Sequence, residues 1–236
     1  MKISIAVIAH NEEFSISACI EALLAQSMKP TEIIVLLHNC TDNTKTIVQK
    51  FPVRTVECFE EGGIIVARAR SIEACTGDII CCSDGDAWAD RDWIKNITTP
   101  LREDAAVSIV GGYTKIQNSL FWKFSCWWQF VWNRKLWHKK HHAFAWGSNL
   151  AFRKKDYEKV SGLTPFLKIH KELELNYPAE DLYLSLALQR VGKISFATDA
   201  VIYTSMPPEK ASLKAQKDIV AKQIEDNKKL FSFFKI

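Results

Sequence analysis

The amino-acid sequence predicts an α/β fold: a doubly wound, mostly parallel sheet flanked by helices, with an aromatic-rich helical insert and a C-terminal helix. Three observations carry this. Short apolar runs alternate with helix-periodic segments through the first ninety residues, the pattern of parallel strands joined by crossover helices. Aromatic side chains crowd the stretch from Leu120 to Trp137. The segment Pro207–Ile236 has helical periodicity and seven lysines.

Taken in order, Ile3–Ala9 is an apolar run broken only by Ser4, a buried strand. Ile16–Ala25 places Ile16, Cys19, Ile20, Leu23 and Leu24 at helix spacing. Glu32–Leu37 is the second strand, and Thr41–Phe51 a helix opened by a Thr/Asp/Asn cluster. Val53–Cys58, Ile64–Cys75 and Asp78–Cys82 follow as strand, helix and strand, the last introduced by the Thr76–Gly77 turn. In such sheets the ligand sits beyond the carboxyl ends of the strands where the winding reverses, commonly between the first and fourth. The segments to inspect are therefore His10-Asn11-Glu12 and Ser83-Asp84-Gly85-Asp86.

Composition removes several classes. The 236 residues are 47% hydrophobic and 25% charged, which suits a globular domain and neither a disordered nor a fibrous chain. The net charge of +4 is too mild to announce a nucleic-acid binder, and none is expected as a partner. The seven cysteines are scattered, with no C-x-x-C, which speaks against a disulfide framework or zinc ribbon and suits a reducing cytoplasm. The apolar start runs straight into His10-Asn11-Glu12-Glu13 without a small-residue cleavage site, so it reads as a strand rather than a signal peptide.

No glycine-rich dinucleotide fingerprint or P-loop follows the first strand. Phosphate charge must be met otherwise. Two carboxylates flanking one glycine at a strand end suit a hard divalent cation that completes its shell with substrate phosphate. The bland alternative is an ordinary Asp-Gly turn.

In order along the chain, "SIAVIAHNEE", "LLHNCTDNT", "ARARSIEACTGDII", "SDGDAWADRDWI", "WGSNLAFRKKDYEKVSGL" and "AEDLYLSLALQRVGKI" resemble the motifs of family 2 glycosyltransferases, across roughly residues 3–203. The resemblance implies a GT-A fold and transfer of a sugar from a nucleotide donor, with Mn²⁺ or Mg²⁺ as cofactor. It implies that Asn11 and Glu12 contact the nucleoside, with His38 and Asn39 at the base, and that Arg68 lies near the base or diphosphate; His10 either hydrogen-bonds the nucleobase or only finishes the strand. Asp84 would face the ribose side and Asp86 the metal, Asp84 assisting. Asp181 would deprotonate the acceptor hydroxyl, with Glu180 alongside. His38-Asn39 replaces the family's usual Asp pair and Ala69 its usual Asn, which leaves the donor base open. No Q-x-x-R-W follows Asp181, which argues against a processive polymerase, and "VIYTSMPP" lacks the further histidine ligand some members have.

Read without the family, Glu180 and Asp181 need only be helix-dipole partners in a first turn that Pro178 opens. Arg68 and Arg70 need only make surface ion pairs. His138, His141 and His142 have no acidic neighbour in sequence and read as a basic cluster rather than a zinc site.

The aromatic stretch includes five of the eight tryptophans, with Ser125, Gln129 and Asn133 as its one polar stripe. Lys123, Arg134, Lys135, Lys139 and Lys140 flank it, and no acid intervenes between Asp104 and Asp156. A Trp-rich cationic helix resembles an interfacial anchor. The expectation is that Trp127, Trp128, Trp132 and Trp146 meet an acceptor or a membrane, the alternative being a core or dimer helix.

The sequence thus predicts one catalytic domain over 1–205, comprising a nucleotide-binding half 1–90 and an acceptor half 91–205 with the insert 118–142, and a helical tail over 206–236. The expected activity is inverting, metal-dependent sugar transfer from a nucleotide-sugar donor to a saccharide or lipid-linked acceptor, in cell-envelope polysaccharide or glycolipid synthesis. The expected place is the cytoplasm, peripheral on the inner membrane face. A silent nucleotide- or lipid-binding module and a nucleotidyltransferase are the alternatives.

Overall fold

Strand β1 (Ile3–Ala9) is buried at every position, which explains why its apolar run does not alternate: a parallel strand covered on both faces has no polar side to alternate with. The computed structural model describes residues 1–118, 120, 124, 127, 131, 145–205 and 213–235. From β1 the chain passes through α1 (Ile16–Leu24) to β2 (Glu32–His38), then α2 (Thr44–Val48), β3 (Arg54–Cys58), α3 (Gly63–Glu73) and β4 (Ile79–Asp84). β2 pairs in parallel with β1 and β3, while β4 pairs in parallel with the other edge of β1. The winding therefore reverses between β1 and β4, as the sequence implied.

α2 is shorter than the helix expected over Thr41–Phe51. Asp42 Oδ1 accepts the Thr44 N–H and hydroxyl at 3.0 and 2.6 Å, so the polar cluster forms a side-chain turn before the helix rather than its first turn. At the other end the chain turns at Phe51 into Pro52, which cannot continue a helix.

The second half adds β5 (Ala87–Ala89), α4 (Trp93–Glu103), β6 (Val107–Ile116), β7 (Leu150–Arg153), α5 (Lys154–Lys159), α6 (Phe166–Glu172), α7 (Glu180–Leu188), β8 (Lys193–Thr204) and α8 (Leu213–Phe234). The sheet order is β3-β2-β1-β4-β7-β6-β8-β5. β7 runs antiparallel to both β4 and β6, and β5 antiparallel to β8, while β6 and β8 are parallel. The fold is mixed α/β, with a curled, mostly parallel sheet.

Each face of the sheet has its own apolar layer. Ile20, Leu23, Trp93 and Ile97 of α1 and α4 fill one. Ile72, Phe166 and Leu184 of α3, α6 and α7 fill the other, which also takes in Leu230 and Phe234 from α8. The tail thus packs back on the domain: the Phe234 ring lies 5.6 Å from that of Tyr183 on α7, and the Arg190 guanidinium 4.6 Å above it.

Within the aromatic insert, Leu120, Phe124 and Trp127 are 83%, 63% and 47% exposed. Trp128 and Trp132, and His138, His141 and His142, lie outside the described residues. Among the described residues no helix is long and apolar enough to cross a membrane.

Candidate active site

The carboxyl ends of β1, β2 and β4 open onto a cleft of about 640 Å³ lined by His10, Glu12, His38, Asn39, Asp84 and Asp86, among others. Two histidines shape one end. His10 Nδ1 donates to the His38 carbonyl at 2.7 Å, and His38 Nε2 to the Glu60 carbonyl at 3.0 Å. Each bond selects one tautomer of the neutral ring. Asn11 and Asn39 both have positive φ, 57° and 48°, a left-handed turn that asparagine tolerates at a strand end. Asn11 is placed differently from the expectation that it contacts the nucleoside: its Oδ1 accepts the Thr41 N–H at 2.8 Å and so ties the β1 loop to the β2 loop. Glu12 lines the cleft, its carboxylate held by the Ser15 hydroxyl at 2.6 Å.

Asp84 ends β4, and Gly85 turns the chain back against β1. The Gly85 N–H donates to the Ile8 carbonyl at 2.8 Å. A Cβ on Gly85 would stand 3.1 Å from Ala9 Cβ and 3.2 Å from both Glu12 Cγ and Ile16 Cδ1. Glycine here serves close approach, not flexibility, and the approach brings Asp86 into the field of Glu12. Burial, then the charges of Asp84 and Glu12, push the Asp86 carboxyl up to about 7.

A second chamber of about 230 Å³ continues from Asp84 and Asp86 to Arg68, Trp146, Gly147, Tyr177, Glu180 and Asp181. Both sequence-distant acids, Asp86 and Asp181, line it. α7 begins at Glu180, so both acids do sit in its first turn. Pro178 is not the opening residue, however: Ala179 precedes the helix with φ 48°, a left-handed turn that redirects the chain one residue later. Asp181 Oδ1 accepts the Leu182 N–H at 2.7 Å and Oδ2 the Gly147 N–H at 3.2 Å. Gly147 is itself set by its neighbour in the loop: the buried Trp93 indole donates to Asn149 Oδ1 at 2.8 Å.

Arg68 does not make the surface ion pair of the bland reading. It is 1% exposed, and its Nη2 lies 2.7 Å from Asp84 Oδ1 and 3.8 Å from Glu180 Oε1. One oxygen of Asp84, expected to assist the metal, is thereby committed to a cation already in the protein. Arg70 is the surface residue, paired with Glu60 and Glu73. Despite Arg68, burial and the adjacent Asp181 raise Glu180 to about 8. Asp181 is raised too, mainly by burial, the Leu182 and Gly147 N–H groups opposing.

The donor set fits a hard divalent cation. Asp86 and Glu12 make no ion pair among the described residues, and each is raised by burial and like charge. No group of three or more metal-ligating side chains occurs among the described residues, so such a cation would rely on ligand oxygens and water for most of its shell.

Sequence reading overlooked Tyr177, whose ring lines this chamber, and Thr204, whose hydroxyl donates to the Asp86 carbonyl at 3.3 Å. Tyr177 lies in no motif and Thr204 only in the segment read for its missing histidine, and the fold brings both here.

Known proteins share this architecture. A mannosyltransferase from Pyrobaculum calidifontis, solved with GDP-Man and Mn²⁺, superposes with a TM-score of 0.72 at 18% identity, covering 98% of this chain and 63% of that one. Glucosyl-3-phosphoglycerate synthase from Mycobacterium tuberculosis, solved with Mn²⁺, UDP-Glc and phosphoglyceric acid, does so at 0.65 and 17%, covering 100% and 80%. These likenesses establish a GT-A fold. In sequence, glucosyl-dolichyl phosphate glucuronosyltransferase of Haloferax volcanii is 28% identical over 118 residues, 48% of this chain and 38% of that protein. The chain matches less than half the length of such curated relatives. Residues 4–161, well over half the chain, match the model of glycosyl transferase family 2, and the chain belongs to that family.

Proposed function

We propose that this protein transfers a glycosyl group, with inversion, from a nucleoside diphosphate sugar to a hydroxyl acceptor. The observation that carries the reading is the single chamber lined by Asp86 and Asp181 and opening at Asp84 and Asp86 into the larger cleft. One end of this path is shaped for a nucleoside and the other ends on a carboxylate.

The nucleoside lies over the β1 and β2 ends, where His10, His38 and Asn39 face the base and Glu12 lines the approach. Asp86, with Asp84 alongside, would hold a divalent ion. A bound Mn²⁺ or Mg²⁺ supplies neutralisation of the charge that builds on the leaving diphosphate. The chain's own residues do the rest. Arg68 meets both Asp84 and Glu180 with one guanidinium nitrogen, fixing the strand end relative to the helix. Asp181, its two oxygens each anchored by a backbone N–H, takes the proton of the acceptor hydroxyl, and a raised pKa makes it a better base than an exposed carboxylate. Attack from the face opposite the diphosphate inverts the anomeric centre. Trp146 and Tyr177 screen this end from water, which would otherwise consume the donor.

The acceptor we propose is a saccharide or lipid-linked saccharide of the cell envelope, reached from the inner membrane face with the insert as contact. The outward Leu120, Phe124 and Trp127 support this, since such side chains fit a lipid interface better than water. Sedimentation with anionic liposomes tests it, and wild-type protein left wholly in the supernatant removes the membrane part.

The activity itself is tested by comparing wild type with Asp181→Asn across a panel of nucleoside diphosphate sugars and Mn²⁺. A loss of turnover of about 10²–10⁴-fold with donor binding retained is expected for a general base. An active Asp181→Asn enzyme removes the base assignment, and no turnover of any donor by wild type favours a silent binding module.

A further inference from the structure

Beside Asp181 the chamber leads into a smaller recess of about 70 Å³, lined by Trp146, Tyr177, Asp181, Gln223 and Asn227 with Ala179 and Leu182 at its back. Trp146, Tyr177 and Asp181 line both spaces, so the recess opens from the point where the acceptor would be deprotonated. Gln223 and Asn227 come from α8, four residues apart and hence on one helix face.

This wall is built rather than accidental. Asp226, wholly buried between the two amides in sequence, accepts the Tyr177 N–H at 2.7 Å and the Asn176 side-chain amide at 3.2 Å. Lys229 reaches the Glu174 carbonyl at 3.0 Å. Leu230 and Phe234 continue the same face into the apolar layer behind α7. The Tyr177 hydroxyl meets the Gln223 side chain. α8 is thereby fixed against the segment that precedes the catalytic helix, and its two amides are presented to the recess.

The chemistry of the lining is specific. An indole and a phenol offer apolar faces to the C–H side of a pyranose, while two primary amides each supply donors and an acceptor for hydroxyl groups. Among the described residues no cationic side chain lines the recess, a lining unsuited to a phosphate or carboxylate. Its volume admits a few waters or one hydroxyl-bearing arm of a ligand. We propose that the recess is a subsite for a neutral saccharide acceptor, in which Gln223 and Asn227 of the C-terminal helix select the acceptor by hydrogen bonds to hydroxyls next to the one that reacts. This rests on the reading of Asp181 as the base for sugar transfer, and it adds the residues that read the acceptor.

The test uses the full chain labelled with ¹⁵N and methyl glycosides (methyl β-D-glucoside, α-D-mannoside and β-D-galactoside) as probes, with glycerol 3-phosphate as the anionic control. Side-chain amide signals of Gln223 and Asn227 are assigned by Gln223→Ala and Asn227→Ala. Saturable shifts of these signals with at least one glycoside, and none with the anion, are expected. In the Gln223→Ala/Asn227→Ala variant the glycoside KM should rise at least tenfold, while the Mn²⁺-dependent thermal shift with UDP or GDP is retained. Both positions are partly exposed on a helix, and Gln223→Glu/Asn227→Asp serves as a second variant of preserved size. Glycosides that leave both amide signals unmoved at saturating probe overturn the proposal, as does a double variant with unchanged acceptor KM. Failure of every nucleotide to bind alongside intact glycoside shifts would instead remove the glycosyl-transfer reading and leave the saccharide site standing.

Discussion

Arg68 reaches Asp84 across 2.7 Å from a position shut off from solvent. The same guanidinium nitrogen stands 3.8 Å from Glu180, so one buried cation joins the end of β4 to the start of α7. Removing one partner of a buried pair leaves the other charge uncompensated. Arg68→Met should therefore destabilise the fold by about 3–5 kcal/mol, measured by urea unfolding, and Arg68→Lys should recover only part because a single ammonium cannot replace the planar fork. A loss below about 1 kcal/mol in Arg68→Met would remove the structural role.

Asp86 titrates near 7 without a cation, and a metal binds the ionised form. Between about pH 5 and 6, Mn²⁺ binding should then release close to one proton, near pH 7 about half of one, and above about pH 8 almost none. Calorimetry in buffers of differing ionisation enthalpy measures this directly, and Asp86→Asn should abolish both the proton release and the Mn²⁺-dependent thermal shift with nucleotide.

Glu180 is raised to about 8, so the native state holds its proton more tightly than the unfolded chain does. The folded protein thus binds more protons between the ordinary Glu value and 8, and its stability must fall as pH climbs through that window. Glu180→Gln should flatten the slope and gain most, relative to wild type, at pH 8 and above. Chemical denaturation from pH 5 to 9 checks it; parallel curves for the two proteins would contradict the assignment.

Gly85 has little room for a side chain, with Ala9, Glu12 and Ile16 all within 3.2 Å of where a Cβ would sit. Gly85→Ala should push Asp86 away from Glu12, weakening Mn²⁺ affinity about tenfold with a stability loss of about 1–3 kcal/mol from overpacking. Titration calorimetry and thermal melting separate the two effects.

What the sequence made legible follows from what periodicity can encode. β1 to β4 and the reversal between β1 and β4 could be read because fully buried parallel strands are continuous apolar runs. β8 could not: its partly exposed, irregular burial and the register shift near Gly112 and Tyr113 leave no clean period of two. The location of Asp86 and Asp181 in one chamber was anticipated from the motifs. The burial of Arg68 was not, because the alternation of Ala and Arg reads as a solvated helix face; its one signal is that Val66, Ala67 and Ile72 around it belong to the buried face. Gln223 and Asn227 were invisible, since only packing tells which side of a lysine-rich helix turns inward.

Phe234, held between Tyr183 and Arg190, makes the last turn of α8 a keystone for the helix that begins with Glu180 and Asp181. Heat or a protease that loosens this turn would let the carboxylates drift while the strands still hold together. Inactivation should accordingly precede melting, and a chain that has lost its activity would still look folded by circular dichroism.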